Sequence, residues 1–167
     1  MFINFVYNIY AMAKVNEHIK VISTNKKAHF NYFLSDFLEC GIALSGTEIK
    51  SIKLGNTNIN DAYVLIRNQE AFIINMHISA YEKGNIFNKD PLRDRKLLLH
   101  KREIIKLDSK TNLQGYTLVP TRIYLKEGRC KIEIALGKGK KLYDKREDIK
   151  KRDVKIEIDR AIKNNRY

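Results

Sequence analysis

The segment Ile123-Tyr-Leu-Lys-Glu-Gly-Arg-Cys-Lys-Ile-Glu-Ile-Ala-Leu136 decides the fold. Ile123 and Leu125 alternate with Tyr124 and Lys126, Glu127-Gly128 turns the chain, and Ile132, Ile134 and Leu136 alternate with Lys131 and Glu133. A period of two on both sides of a two-residue turn is the signature of a β-hairpin with one buried and one wet face. Pro120 cannot donate to a ladder, so a bulge or an edge is expected there. Upstream, Tyr63-Val-Leu-Ile66 and Ala71-Phe-Ile-Ile74 flank Arg67-Asn-Gln-Glu70 in the manner of a second hairpin whose turn lacks glycine.

Short helices punctuate these strands. After an apolar, β-branched run from His18 to Ile22, Thr24 or Asn25 can cap a helix from Lys26 to about Leu34. Ser45-Gly-Thr-Glu48 has the spacing of a capping box, which predicts a helix to about Lys53 with Gly55 beyond its end. Residues 82–94 carry Gly84 and Pro91 and read as a loop. Lys96-Leu-Leu-Leu99 then leads into a helix from His100 to Thr111 with Ile104 and Leu107 on one stripe. A small, strand-rich chain avoids exposed edges by closing on itself. The expected fold class is therefore mainly β with short flanking helices: an antiparallel β-barrel of oligonucleotide-binding type.

Charge narrows the partners. The 167 residues carry a formal net charge of +13, although 44% hydrophobic content is ordinary for a globular chain. Such an excess favours polyanions, either nucleic acid or an anionic membrane. Between Lys138 and Arg166, twelve basic residues face six acidic ones, so this end alone carries about half the net charge. Its apolar residues are too few for a core, and a tail that is disordered alone and helical when bound is expected. Val154, Ile158 and Ile162 would share a stripe on that helix. The organisation expected is an N-terminal extension over residues 1–13, a barrel over 14–137 and the basic tail over 138–167. The first twelve residues are too short to span a membrane and lack a basic leader region, and Met12 is an alternative start. A cytoplasmic protein without membrane partners follows.

Catalytic chemistry finds little footing. His18, His29, His77 and His100 are scattered without ligand spacing, and no GxSxG surrounds a serine. Cys40 and Cys130 lie far apart, which argues for reduced, semi-buried thiols and against zinc or a disulfide framework. Gly137-Lys-Gly-Lys-Lys141 lacks the spacer and hydroxyl of a nucleotide loop, but suits a cationic hinge near phosphates. No enzyme activity, cofactor or metal is expected. Basic residues interleave with aromatics around His29, Phe30, Tyr32 and Phe33, and again between Tyr124 and Lys131, which favours nucleic acid.

Five ordered blocks carry a resemblance: Thr24–Phe33, Glu39–Ile52, Asn58–Leu65, Asp90–Leu99 and Ala135–Arg146. Together they resemble the small protein B family, the SsrA-binding proteins, from about Lys20 to Asn164. The resemblance implies a non-enzymatic adaptor of trans-translation that binds the tRNA-like domain of transfer-messenger RNA (tmRNA) as a monomer. It implies delivery of alanyl-tmRNA to stalled ribosomes, for tagging of the nascent chain and ribosome rescue. By motif position it puts RNA contacts on Asn25, Glu39, Leu98 and Lys131. It places Gly139, Lys140, Lys141, Asp144, Lys145, Arg146 and Ile162 in the decoding centre and mRNA channel of the small subunit. The alternative is a generic oligonucleotide-binding protein of ribosomal or initiation type.

Overall fold

The computed structural model describes residues 19–164, without side-chain detail at positions 113, 151, 152, 155, 159 and 162–164. The proposed extension over residues 1–13 lies outside the described residues. Among the described residues, nine strands and four α-helices follow in chain order. β1 (Ile19–Thr24), α1 (Lys26–Asn31), β2 (Tyr32–Ile42) and α2 (Gly46–Lys53) form the first part. β3 (Thr57–Asn58), β4 (Tyr63–Arg67), β5 (Glu70–Ile74) and β6 (His77–Ile78) come next. A 3-10 turn at Glu82–Phe87 precedes β7 (Arg95–Leu98), α3 (Lys101–Gln114), β8 (Thr117–Lys126), β9 (Arg129–Gly139) and α4 (Leu142–Asn164).

Six antiparallel strands pair in the order β8, β4, β5, β7, β2, β9, and β9 returns to β8, which closes the barrel. β1 lies outside this ring on β8, and β3 pairs with β6 as a separate ribbon. The interior is filled by Ile73, Leu97, Leu118, Ile123, Ile132 and Ile134, with Ile52 of α2 and Leu107 of α3 added from the flanks. Closure matters because each of the six ring strands then has a neighbour on both sides.

The bulge expected at Pro120 is present as a register shift between Pro120 and Arg122. There β8 changes partner: Leu118 pairs with Val64 of β4, whereas residues 122–126 pair with β1. The carbonyls at this switch are collected by Asn25. Its backbone N–H donates to the Thr121 carbonyl at 2.8 Å, and its side-chain Nδ2 donates to the Pro120 carbonyl at 3.0 Å. A buried carbonyl without a donor would cost roughly 1–3 kcal/mol, so this one asparagine stabilises the switch.

Both hairpins form, and their turns show how. Asn68 and Gln69 have φ of 51° and 60°, and Glu127 and Gly128 have 50° and 76°. Two successive left-handed residues match the twist of the flanking strands. The capping box is also realised: Glu48 N–H donates to Ser45 Oγ, and Ser45 N–H donates to Glu48 Oε2 at 2.7 Å.

Four expectations are corrected. α1 ends at Asn31 rather than near Leu34, because Tyr32 starts β2 and packs on Gly137, where a Cβ would lie only 3.0 Å from the Tyr32 ring. Tyr124, expected on the wet face, is buried because its hydroxyl finds the Glu39 carboxylate. Gly137-Lys-Gly139 is not a free hinge but the end of β9, paired with Leu34, Phe33 and Tyr32. The thiols are buried rather than semi-buried.

Candidate nucleic-acid interface

Gly41 sits between Leu98 of β7 and Lys131 of β9, directly in register with both. Cross-strand partners project to the same side of a sheet. A Cβ on Gly41 would stand 3.2 Å from Leu98 Cδ1, so the glycine keeps a shallow floor between the two side chains. Leu98 is 57% exposed on this outward face. Two residues along β2, and therefore on the same face, stands Glu39. Its Oε2 accepts from the Tyr124 hydroxyl and from Lys126 Nζ at 3.4 Å, and Lys131 Nζ is 3.7 Å from Oε1.

These contacts set the protonation states. The Tyr124 hydrogen bond holds the Glu39 carboxyl below its usual range; partial burial opposes this, and Lys126 and Lys131 reinforce it. Burial, then the same bond, pushes the Tyr124 phenol up, which keeps it a donor. The Arg122 guanidinium lies 5.4 Å from the Tyr124 ring centroid and donates to Glu133 Oε2 at 2.7 Å. Glu133 also accepts from Thr121 Oγ1 at 2.6 Å. The face thus offers the ionised Glu39 carboxylate set among cations. A carboxylate accepts hydrogen bonds from exocyclic amines and 2′-hydroxyls, while ammonium groups take phosphates.

Glu39, Leu98 and Lys131 are therefore brought together. Asn25 is not part of this group. It is 1% exposed, and besides the β8 bonds its Oδ1 accepts from Ala28 N–H at 2.8 Å and its Nδ2 donates to the Ile59 carbonyl at 2.9 Å. Its polar atoms are occupied in joining α1, β8 and the turn after β3.

In the tail, Gly139 pairs with Tyr32. Lys140 N–H donates to the Asn31 carbonyl at 2.9 Å, and its Nζ donates to the His29 carbonyl at 3.0 Å and to Asp148 at 2.6 Å while lying 5.1 Å from the Phe33 ring centroid. Asp144 accepts from Lys141 N–H at 2.9 Å, which closes the first turn of α4, and Lys145 Nζ is 5.8 Å from the Phe30 ring centroid. Arg146 is exposed. The Ile162 side chain lies outside the described residues. α4 runs as a 23-residue helix that starts against α1.

Sequence reasoning missed two groups. One is the contact of Tyr124 and Lys126 with Glu39, with Arg122 over the Tyr124 ring; the basic and aromatic Tyr124–Lys131 stretch was legible, its partner on β2 was not. The other is the Glu48 cluster. Arg95, fully buried, donates from Nε to Glu48 Oε1 at 2.8 Å and from its terminal nitrogens to the Met76, Arg93 and Pro91 carbonyls. Arg93 donates to both Glu48 oxygens. Burial would raise Glu48, but Arg93, the Ser45 amide and Arg95 outweigh it and bring it down to about 2. This cluster ties α2 to the chain segment entering β7.

Burial pushes Cys40 and Cys130 up to about 12, so neither is a thiolate nucleophile at neutral pH. Among the described residues no three His, Cys, Asp or Glu side chains are grouped to hold a metal, and no helix is long and apolar enough to cross a membrane.

Barrel, outward polar face and basic helix define the class: an antiparallel barrel of oligonucleotide-binding type extended by a long cationic arm. The chain belongs to the SmpB protein family, whose model matches residues 22–164. It is 57% identical to an SsrA-binding protein of Caldicellulosiruptor bescii over 87% of this chain and 92% of that protein. It is 54% identical to one of Clostridium acetobutylicum over 93% of this chain and 100% of that protein. A solved structure described as "tmRNA-SmpB: a journey to the center of the bacterial ribosome" superposes with a TM-score of 0.61 at 40% identity, covering 72% of this chain and 85% of its counterpart.

Proposed function

We propose that this chain is a tmRNA-binding adaptor of trans-translation, which brings alanyl-tmRNA to stalled ribosomes so that the nascent chain is tagged and the ribosome freed. The observation that carries the reading is that the family model matches residues 22–164, a range that includes both the barrel and α4. The name of the curated relatives and the description of the solved complex supply the partner.

The barrel holds the tRNA-like domain on the Glu39, Leu98 and Lys131 face. Glu39 accepts from base or ribose donors, Lys131 meets a phosphate, and Leu98 packs on a base or sugar. Asn25 acts from inside by fixing α1 and the β8 bulge. The arm, from residue 138, enters the small subunit, where Gly139, Lys140, Lys141, Asp144, Lys145 and Arg146 reach the decoding centre and α4, with Ile162, follows the empty mRNA channel. Full-length mRNA in that channel would exclude the arm, which restricts action to stalled ribosomes. The protein works in the cytoplasm, without cofactor or catalysis of its own. Purification from its native cells followed by sequencing of the bound RNA tests the reading: tmRNA should dominate, and a mixture without it would contradict it.

A further inference from the structure

Ile86 and Phe87 are among the most exposed apolar side chains of the described residues, at 83% and 72%. The backbone that presents them is held in place. Asn88 Oδ1 accepts from Tyr81 N–H and its Nδ2 donates to the Tyr81 carbonyl, both at 3.0 Å, so one side chain closes the loop as a strand partner would. Gly84 lies beneath that amide, where a Cβ would come within 2.5 Å of Asn88 Oδ1. Asn85 adopts a φ of 40°, which asparagine tolerates better than most residues. Thr47 Oγ1 donates to the Phe87 carbonyl at 3.2 Å and fastens the tip to α2. Pro91, at the far end, accepts from Ile78 N–H and from the buried Arg95. A fixed loop with its apolar tip turned to water is a mark of an interaction site.

Basic and acidic side chains share the surroundings, with Glu82 and Asp90 on the loop beside its lysines. Lys83 and Lys89 lie on the loop, and Lys50 of α2 stands 5.6 Å from the Tyr81 ring centroid. Of the nearby carboxylates, Asp94 meets Arg67 at 3.2 Å and Asp90 accepts from Leu92 N–H at 2.7 Å. An aromatic and an aliphatic tip rimmed by ammonium groups suits unpaired bases with their phosphates. The loop also runs directly into β7 and is tied to α2, next to the strands that carry the face already described. Ala43 N–H donates to the Lys96 carbonyl at 2.9 Å, two residues beyond the Gly41 and Leu98 pair, and the chain passes from there into α2 and the loop root.

We propose that the loop over residues 81–92 is a second docking surface for the RNA held at Glu39, with Ile86 and Phe87 stacking on an unpaired base and Lys50, Lys83 and Lys89 meeting its phosphates. This rests on the adaptor reading above. The test uses the full chain and the isolated tRNA-like domain of tmRNA as probe. Ile86→Ser with Phe87→Ser should weaken binding about ten-fold, as loss of stacking on one base does, with no change in thermal midpoint. Lys83→Ala with Lys89→Ala should lower the slope of log affinity against log salt by about 2, one unit per phosphate contact. A photoreactive benzoylphenylalanine at position 87 should crosslink to the bound RNA. Affinity within about two-fold of the unsubstituted chain, by the same stacking criterion, or a crosslink to protein alone, overturns the proposal. If the unsubstituted chain shows no preference for the tRNA-like probe over unstructured RNA, the adaptor reading has failed first and this proposal falls with it.

Discussion

The Tyr124 hydroxyl donates to the Glu39 carboxylate across the barrel face, linking β8 to β2 although β9 lies between them. The bond points one carboxylate outward between Lys126 and Lys131 and keeps it ionised. A negative group on an RNA-binding face is useful only if it is fixed, since a free one would repel phosphates.

Tyr124→Phe removes that bond without removing the ring. Glu39 should then titrate closer to the ordinary carboxylate range, so RNA affinity that depends on the ionised form should fall at a higher pH in the variant than in the unsubstituted chain. Binding curves of the tRNA-like fragment between about pH 4 and pH 7 check this, the window bounded below by the ordinary carboxylate value. Superimposable pH profiles would show that Tyr124 does not govern Glu39.

Glu39→Ala should weaken RNA binding itself by roughly 1 to 3 kcal/mol, the range for a lost charge-assisted hydrogen bond. Calorimetric titration with the same fragment gives the number. An unchanged constant would take Glu39 out of the interface.

Glu48 governs stability rather than binding. Its folded value, about 2, lies below the ordinary 4.5, so its stabilising contribution is complete above about pH 4.5 and fades as pH falls toward 2. Glu48→Gln should remove this acid-sensitive portion and, by leaving Arg95 buried without its carboxylate, cost about 3–5 kcal/mol at neutral pH. Urea unfolding at pH 7 and pH 3 measures both effects. A variant as stable as the unsubstituted chain at pH 7 would show that backbone carbonyls alone satisfy Arg95.

Much of this was legible in advance where local chemistry decides. The alternation from Ile123 to Leu136, the turn at Glu127-Gly128 and the Ser45 to Glu48 box each act within a few residues, and each is seen in the structure. What stayed hidden depends on distant partners. The end of α1 is set by Gly137, more than a hundred residues away from Tyr32, which propensity near Tyr32 does not encode. The burial of Asn25 follows from the place where β8 exchanges β4 for β1. Tyr124 reads as a wet residue by its period, and only barrel closure brings Glu39 to it.

The two modules should separate genetically. Replacing Asp144, Lys145 and Arg146 by alanine should leave affinity for the tRNA-like fragment nearly intact and abolish tagging on stalled ribosomes, because those residues lie on α4 and not on the strands that carry Glu39, Leu98 and Lys131. A reporter of tagged peptide beside a binding titration makes the comparison. Equal loss of both activities would refute the division.

The most direct test of the account is a competition at moderate salt between the tRNA-like domain of tmRNA and an unstructured RNA of equal length, with the full chain limiting. A fixed face built on Glu39, Leu98 and Lys131 predicts clear preference for the folded RNA, persisting as salt rises. Equal displacement by both RNAs would reduce the barrel to a general cationic surface and contradict the adaptor reading.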